Sequence, residues 1–238
     1  MRFPGAVFFL GTSLLLLPAP AARAQADARD APPILREAPP DSSGASVRRL
    51  RALQNAKLLA ARGRSEEAIS ELENYLKANG EDRIIVRELV SLYQDARRFN
   101  DLEKLLKLQI ERSEGVDVGA LRLLAQAQLE LGKDDEAIAN LQKILKAHPD
   151  ELSYARMVAT VLGRYKHDED ALAVLLQARK QSGDSNALAQ QLGATYLRMN
   201  KPVEAATEYL RVVLDTPMNV ELMRAQILDI RDAHPKAA

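Results

Sequence analysis

An all-α solenoid of stacked helical hairpins is the fold class that this chain of 238 residues predicts. Apolar residues recur at helical spacing over most of the chain, the pattern returns about every 34 residues, and glycine or proline falls where helices should stop. Residues 118–151 show all three features. Leu121, Leu124, Ala125 and Gln128 share one face of a first helix, and Ala137, Leu141 and Ile144 one face of a second. Gly132 between them takes the left-handed conformation that ends a helix at no steric cost. Pro149 ends the second helix because it turns its predecessor away from helical geometry. Ala125 and Ala137 sit where two antiparallel helices would approach most closely. Such a hairpin cannot bury its apolar stripe alone and needs neighbours.

The chain opens with Met1 and Arg2, an apolar run over residues 3–17, and a small-residue ending at Ala22, Arg23 and Ala24. This is the pattern of a secretory signal peptide over residues 1–24. The run is shorter than the ~20 apolar residues of a spanning helix, and a lipid-anchored precursor would need a cysteine, of which the chain has none. The expectation is an exported, soluble periplasmic protein, not a lipoprotein, with no integral membrane segment after cleavage. Without cysteine there are no disulfides, so stability rests on packing, for which 47% hydrophobic residues suffice. Loss of residues 1–24 removes Arg2 and Arg23 and no acid, leaving 31 basic against 33 acidic side chains. That balance argues against nucleic acid and anionic membranes as partners. Residues 25–45, with Pro32, Pro33, Pro39 and Pro40, read as a disordered Pro-rich linker.

From residue 46 to 219 the hairpin pattern repeats. The alanine that opens the second helix's apolar face recurs as Ala68, Leu102, Ala137, Ala171 and Ala205, and the large residue four places on as Leu72, Leu106, Leu141, Leu175 and Tyr209. The small residue of the first helix recurs as Ala56, Val90, Ala125, Ala159 and Gly193. Gly80, Pro149, Gly183 and Pro217 punctuate the units. The units are 49–82, 83–116, 118–151, 152–185 and 186–219, with Asp117 as one extra residue. Polar Asn55 in the first unit suits a terminal repeat facing water. The second unit is the most divergent, with Leu102 for alanine and Arg97 for the turn glycine, so 113–118 is expected to be the softest point of the array. Residues 220–238 read as a capping helix and tail, with Met223, Ile227 and Ile230 in phase.

A helix–turn–helix of this length with this alternation of small and large residues resembles the tetratricopeptide repeat family, here as an exported bacterial member. The resemblance implies a right-handed superhelix whose first helices line a concave groove. Position five of each unit should face that groove, giving Leu53, Arg87, Arg122, Arg156 and Gln190, with Arg224 in the capping helix. Neighbouring groove positions add Lys57, Arg164 and Arg198, but also Glu88, Asp95 and Glu130 as counter-charges. A column of arginines suits carboxylates, because guanidinium presents a planar fork of donors. Some family members clamp chaperone C-termini with a lysine and two asparagines. Leu53, Lys57 and Glu88 stand at the corresponding positions here, so that clamp is missing.

Catalysis finds no footing. His148, His167 and His234 lie at helix ends without metal-ligand spacing, and no nucleophile elbow, phosphate loop or zinc-peptidase pair occurs. Lys133, Asp134, Asp135 and Glu136 read as a capped helix start. Tyr75, Tyr93, Tyr196 and Tyr209 read as core, whereas Tyr154 and Tyr165 fall nearer helix ends. No cofactor, metal or nucleic acid is called for. The function implied is a non-enzymatic periplasmic scaffold that binds an acidic protein or peptide in its groove, as adaptor of an envelope assembly (secretion, pilus, outer-membrane or exopolysaccharide machinery). A self-assembling structural protein and a binder of anionic polymer are the alternatives.

Overall fold

A computed structural model describes residues 42–215, 224–225 and 227–230. The expected signal peptide and most of the expected linker lie outside the described residues, as does much of the expected C-terminal cap and tail. The chain is an all-α solenoid. Its helices are α1 (Ser42–Ala61), α2 (Ser65–Asn79), α3 (Arg83–Asp95), α4 (Phe99–Arg112), α5 (Val118–Glu130), α6 (Asp134–Ala147), α7 (Leu152–Arg164), α8 (Asp168–Ser182), α9 (Ala189–Arg198) and α10 (Pro202–Asp215). None of the described helices is long and apolar enough to cross a membrane. Helix α1 starts at Ser42, four residues before the expected start of the repeats.

Each hairpin turn is the same device. Gly63, Arg97, Gly132, Lys166 and Asn200 all adopt left-handed backbone, with φ of 75°, 55°, 71°, 65° and 57°. The next amide then bonds the carbonyl five residues back: Arg64 to Leu59, Arg98 to Tyr93, Lys133 to Gln128, His167 to Leu162 and Lys201 to Tyr196, at 2.8–3.0 Å. This satisfies carbonyls that the ending helix would leave orphaned. The geometry is therefore fixed even where Arg97 and Lys166 replace glycine and bear the steric cost.

The chain divides into two compact units between Leu92 and Tyr93, inside α3. In the first, α1 packs on α2 around Ala52, Ala56, Ala68, Leu72 and Leu76. Asn55 is exposed and donates to Glu71 at 3.4 Å, and Asp82 caps α3 by accepting from the Ile84 amide at 3.0 Å.

In the second unit, helices from α4 to α10 pack in sequence order, as a solenoid requires. A continuous core runs from Leu121 through Leu141, Ile144, Val158 and Leu175 to Leu192. Ala125 and Ala137 are both fully buried, where the two helices of their hairpin meet. Tyr209 lies against Gly193, where a Cβ would stand 2.6 Å from the ring, so the small residue is obligatory there. Ile230 packs with Ala205 and Tyr209, and Ile227 beside them, in the manner of a cap.

The expected soft point at 113–118 is instead well tied. Helices α4 and α5 pack closely across it, Ser113 Oγ donates to the Ile110 carbonyl at 2.8 Å, and Asp117 caps α5 by accepting from the Ala120 amide at 2.9 Å. At the other end of α4 and α5 lies a buried polar network. Glu103 is paired with Lys133 at 2.7 Å and Lys107 at 2.8 Å, and accepts from Gln128 at 3.3 Å. Asn140 Nδ2 donates to Gln128 Oε1 at 2.8 Å. Burial pushes the Glu103 carboxyl up, but hydrogen bonds from Lys107, Lys133 and Gln128 outweigh it and bring it down to about 2. The loosest junction is one repeat further on, where α6 and α7 share less contact than the other consecutive pairs from α4 onwards.

Candidate functional site

The first helices α5, α7 and α9 carry the groove positions of the second unit. Every fourth residue along each helix returns to the same face, so positions 122 and 126, or 156, 160 and 164, line up. They border two adjoining open cavities. One, of about 460 Å³, is lined by Arg122, Gln126, Arg156, Thr160 and Arg164 over an apolar floor of Met157 and Val161. The other, of about 300 Å³, shares Arg156, Thr160 and Arg164 and adds Gln191, Thr195 and Arg198. The ionisable side chains lining both are arginines, with no carboxylate among them.

One of the three anticipated counter-charges, Glu130, is directed elsewhere. Glu130 accepts from the Tyr165 hydroxyl at 2.9 Å and from Arg97 at 3.4 Å. Burial, reinforced by the hydrogen bond to Glu130, pushes the Tyr165 hydroxyl up to about 12, so it remains a donor. Arg122 is half-buried and donates to Gln126 at 3.3 Å. Arg156 and Arg164 are exposed, and neither side chain has an ionic partner among the described residues. Arg198 is pre-positioned: its Nε donates to Asp168 at 2.6 Å and its Nη2 to Thr195 at 3.1 Å. Its guanidinium lies over Gly163, where a Cβ would stand 2.4 Å from Nη2.

The structure thus brings together Arg122, Arg156, Arg164 and Arg198. Gln190 is exposed in the first turn of α9, and Gln191 lines the cavity in its place. Leu188 adopts left-handed backbone (φ 60°), and α9 starts only at Ala189. The break is held by Arg179, which donates to the Ala187 carbonyl at 2.7 Å and forms a two-pronged pair with Glu208 at 2.6 and 2.8 Å. Lys57 on α1 and Arg87 on α3 are exposed in the first unit. Arg224 is exposed and helical.

Gln126, Met157, Thr160 and Gln191 were not singled out from sequence, although the spacing of four from position five points to Gln126 and Thr160. His167 sits at the start of α8 rather than at a helix C-terminus, 3.4 Å from Asp134 and 3.6 Å from Asp170. Tyr154 and Tyr165 are both partly buried, the first against His148 with ring centroids 4.4 Å apart. Tyr196 is likewise only partly buried, while Tyr75, Tyr93 and Tyr209 are core.

Residues 120–151, the hairpin of α5 and α6, match the tetratricopeptide repeat family. That hairpin is a tetratricopeptide repeat, and the chain is an all-α solenoid of like hairpins. No curated protein matches the chain. Among solved structures, the C-terminal part of a TPR repeat-containing protein from Cytophaga hutchinsonii is similar, at 14% identity and a TM-score of 0.50, over 77% of this chain and 72% of that one. A double mutant of MamA from Desulfovibrio magneticus RS-1 is 16% identical with a TM-score of 0.50, over 78% of this chain and 97% of that one. A thermophilic TPR protein of Thermus thermophilus is 19% identical with a TM-score of 0.43, over 76% of this chain and 97% of that one. At these identities the first two likenesses carry the fold. The repeat is in general a protein-interaction scaffold without enzymatic activity.

Proposed function

We propose that the second unit of this tetratricopeptide-repeat protein holds an extended, acidic segment of a partner protein along α5, α7 and α9. One observation carries the reading: two adjoining cavities are lined by Arg122, Arg156, Arg164 and Arg198 and by no carboxylate. Planar guanidinium groups favour carboxylates in a two-pronged geometry, and Gln126, Thr160 and Gln191 add neutral partners for a peptide backbone. The apolar floor of Met157 and Val161 favours a polypeptide over a purely anionic polymer. The protein is non-enzymatic and works outside the cytoplasm as an adaptor of an envelope assembly. The signal-like pattern of residues 1–24 supports the location.

The test is affinity capture from envelope extract, comparing wild type with a variant carrying R122E, R156E and R164E. A partner recovered by wild type and lost by the variant is the expected result. Equal recovery by both would remove the arginines from the binding site.

A further inference from the structure

One of the arginines lining the two adjoining cavities is held differently from the rest. Arg156 and Arg164 are exposed and without an ionic partner among the described residues, so each keeps its rotamer freedom until something binds. Arg198 has already given that freedom up. Its Nε donates to Asp168 at 2.6 Å, and its Nη2 donates to the Thr195 hydroxyl at 3.1 Å. Thr195 is itself 2% exposed and fixed by donating to the Gln191 carbonyl at 2.9 Å. The guanidinium lies on α7 at Gly163, where a Cβ would stand 2.9 Å from its Cζ and closer still to Nη2. A glycine in the last turn of a helix costs stability that alanine would not. Here it makes the room that the guanidinium fills. Nη1 makes no hydrogen bond among the described residues, which leaves a donor for a ligand in the cavity of about 300 Å³. Asp168 is not among the residues lining that cavity, so it orients Arg198 from outside.

We infer that Arg198 is the specificity anchor of the groove, receiving one partner carboxylate in a fixed geometry, and that Gly163 and Asp168 are positioning residues that act through it. The inference rests on the acidic-segment reading above. A donor fixed before binding loses little further freedom on contact and tolerates little misplacement of its acceptor. Arg156 and Arg164 instead follow the charge wherever the partner presents it. The two kinds therefore differ in what can replace them. Lysine keeps the charge but not the planar fork, so it serves at 156 and 164 and fails at 198.

Isothermal titration calorimetry of the full chain with a ten-residue glutamate peptide reads the binding. The arginine Nε–H resonances of labelled protein without ligand read the positioning. Arg198→Lys should weaken the peptide about tenfold, and Arg156→Lys or Arg164→Lys about twofold or less. Gly163→Ala should weaken it about fivefold. It should leave the fold intact, since what it displaces is the end of a flexible side chain and alanine suits a helix. In an Arg198→Lys background Gly163→Ala should add nothing, which a merely structural glycine would not show. Without ligand, the Arg198 Nε–H should exchange slowly with solvent in wild type and rapidly in Gly163→Ala and Asp168→Ala. A resonance unchanged in both variants overturns the positioning roles. Peptide binding that is lost in R156E with R164E but equal in wild type, G163A and R198K overturns the anchor and leaves the groove standing. No binding by wild type overturns the groove and the anchor with it.

Discussion

Two junctions in the second unit are built from the same repeat and finished in opposite ways. Between α4, α5 and α6 the space is closed by a charged group: Glu103, 5% exposed, gathers Lys107, Lys133 and Gln128 around it. Between α6, α7 and α8 no buried charge is present among the lining residues, and an aliphatic cavity of about 470 Å³ remains. A buried carboxylate is tolerated only when its partners are all in place. Such a network ties its helices to one arrangement, whereas a junction lined by alanine and aliphatic residues can remain open. In this repeat the backbone sets the register of the stack. The few polar residues on the buried faces decide which seams close.

Breaking the closed junction should have the largest effect. Glu103→Ala strands Lys133 and Gln128 and is expected to cost about 3 kcal/mol or more, read by urea denaturation. Acid probes the same group. Burial alone would raise the Glu103 carboxyl, but its hydrogen bonds lower it from 4.5 to about 2 in the folded chain. The stabilisation is therefore complete above pH 4.5 and lost as pH falls towards 2. It amounts to on the order of 3 kcal/mol. In Glu103→Gln this part of the acid limb should be flat, and a wild-type slope in that variant would assign it to other carboxylates.

Volume changes sharpen the contrast. Ala125→Val, at a fully buried contact of the α5–α6 hairpin, should lose about 1–3 kcal/mol by overpacking. Ala155→Val, at the edge of the open cavity, should be neutral or gain up to about 1 kcal/mol. Equal losses would mean that the two seams are equally tight. The turns, common to both junctions, give the smallest effect. Lys166→Gly relieves a left-handed lysine (φ 65°) and should raise stability by about 1 kcal/mol or less, since glycine costs entropy in the unfolded chain.

Helix placement was legible because apolar period, repeat length and turn residues agree. Helices α3, α5 and α7 start at Arg83, Val118 and Leu152, where the repeats were drawn to begin. Helix α9 starts late because the side chains that hold Leu188 left-handed, Arg179 and Glu208, come from α8 and α10, and such distant contacts leave no local pattern. Arg122 and Arg156 were reached through repeat position, and Arg164 and Arg198 as groove neighbours, on the superhelix that the family resemblance implies. The Glu103 network was not, because a glutamate on a helix normally reads as solvated. Its one sequence signal was Gln128, a polar residue within an apolar stripe that had to find a partner. Packing gaps are less legible still, since the cavity beside α7 depends on how three helices settle rather than on any one residue.

The account's central claim, that α5, α7 and α9 present a cationic groove to an acidic segment, is tested most directly by titrating isotope-labelled protein with a ten-residue glutamate peptide and following amide chemical shifts. The prediction is saturable change at Arg122, Arg156, Arg164 and Gln191, lost in a variant carrying R156E and R164E. Absent shifts there, or shifts that persist in that variant, would contradict it.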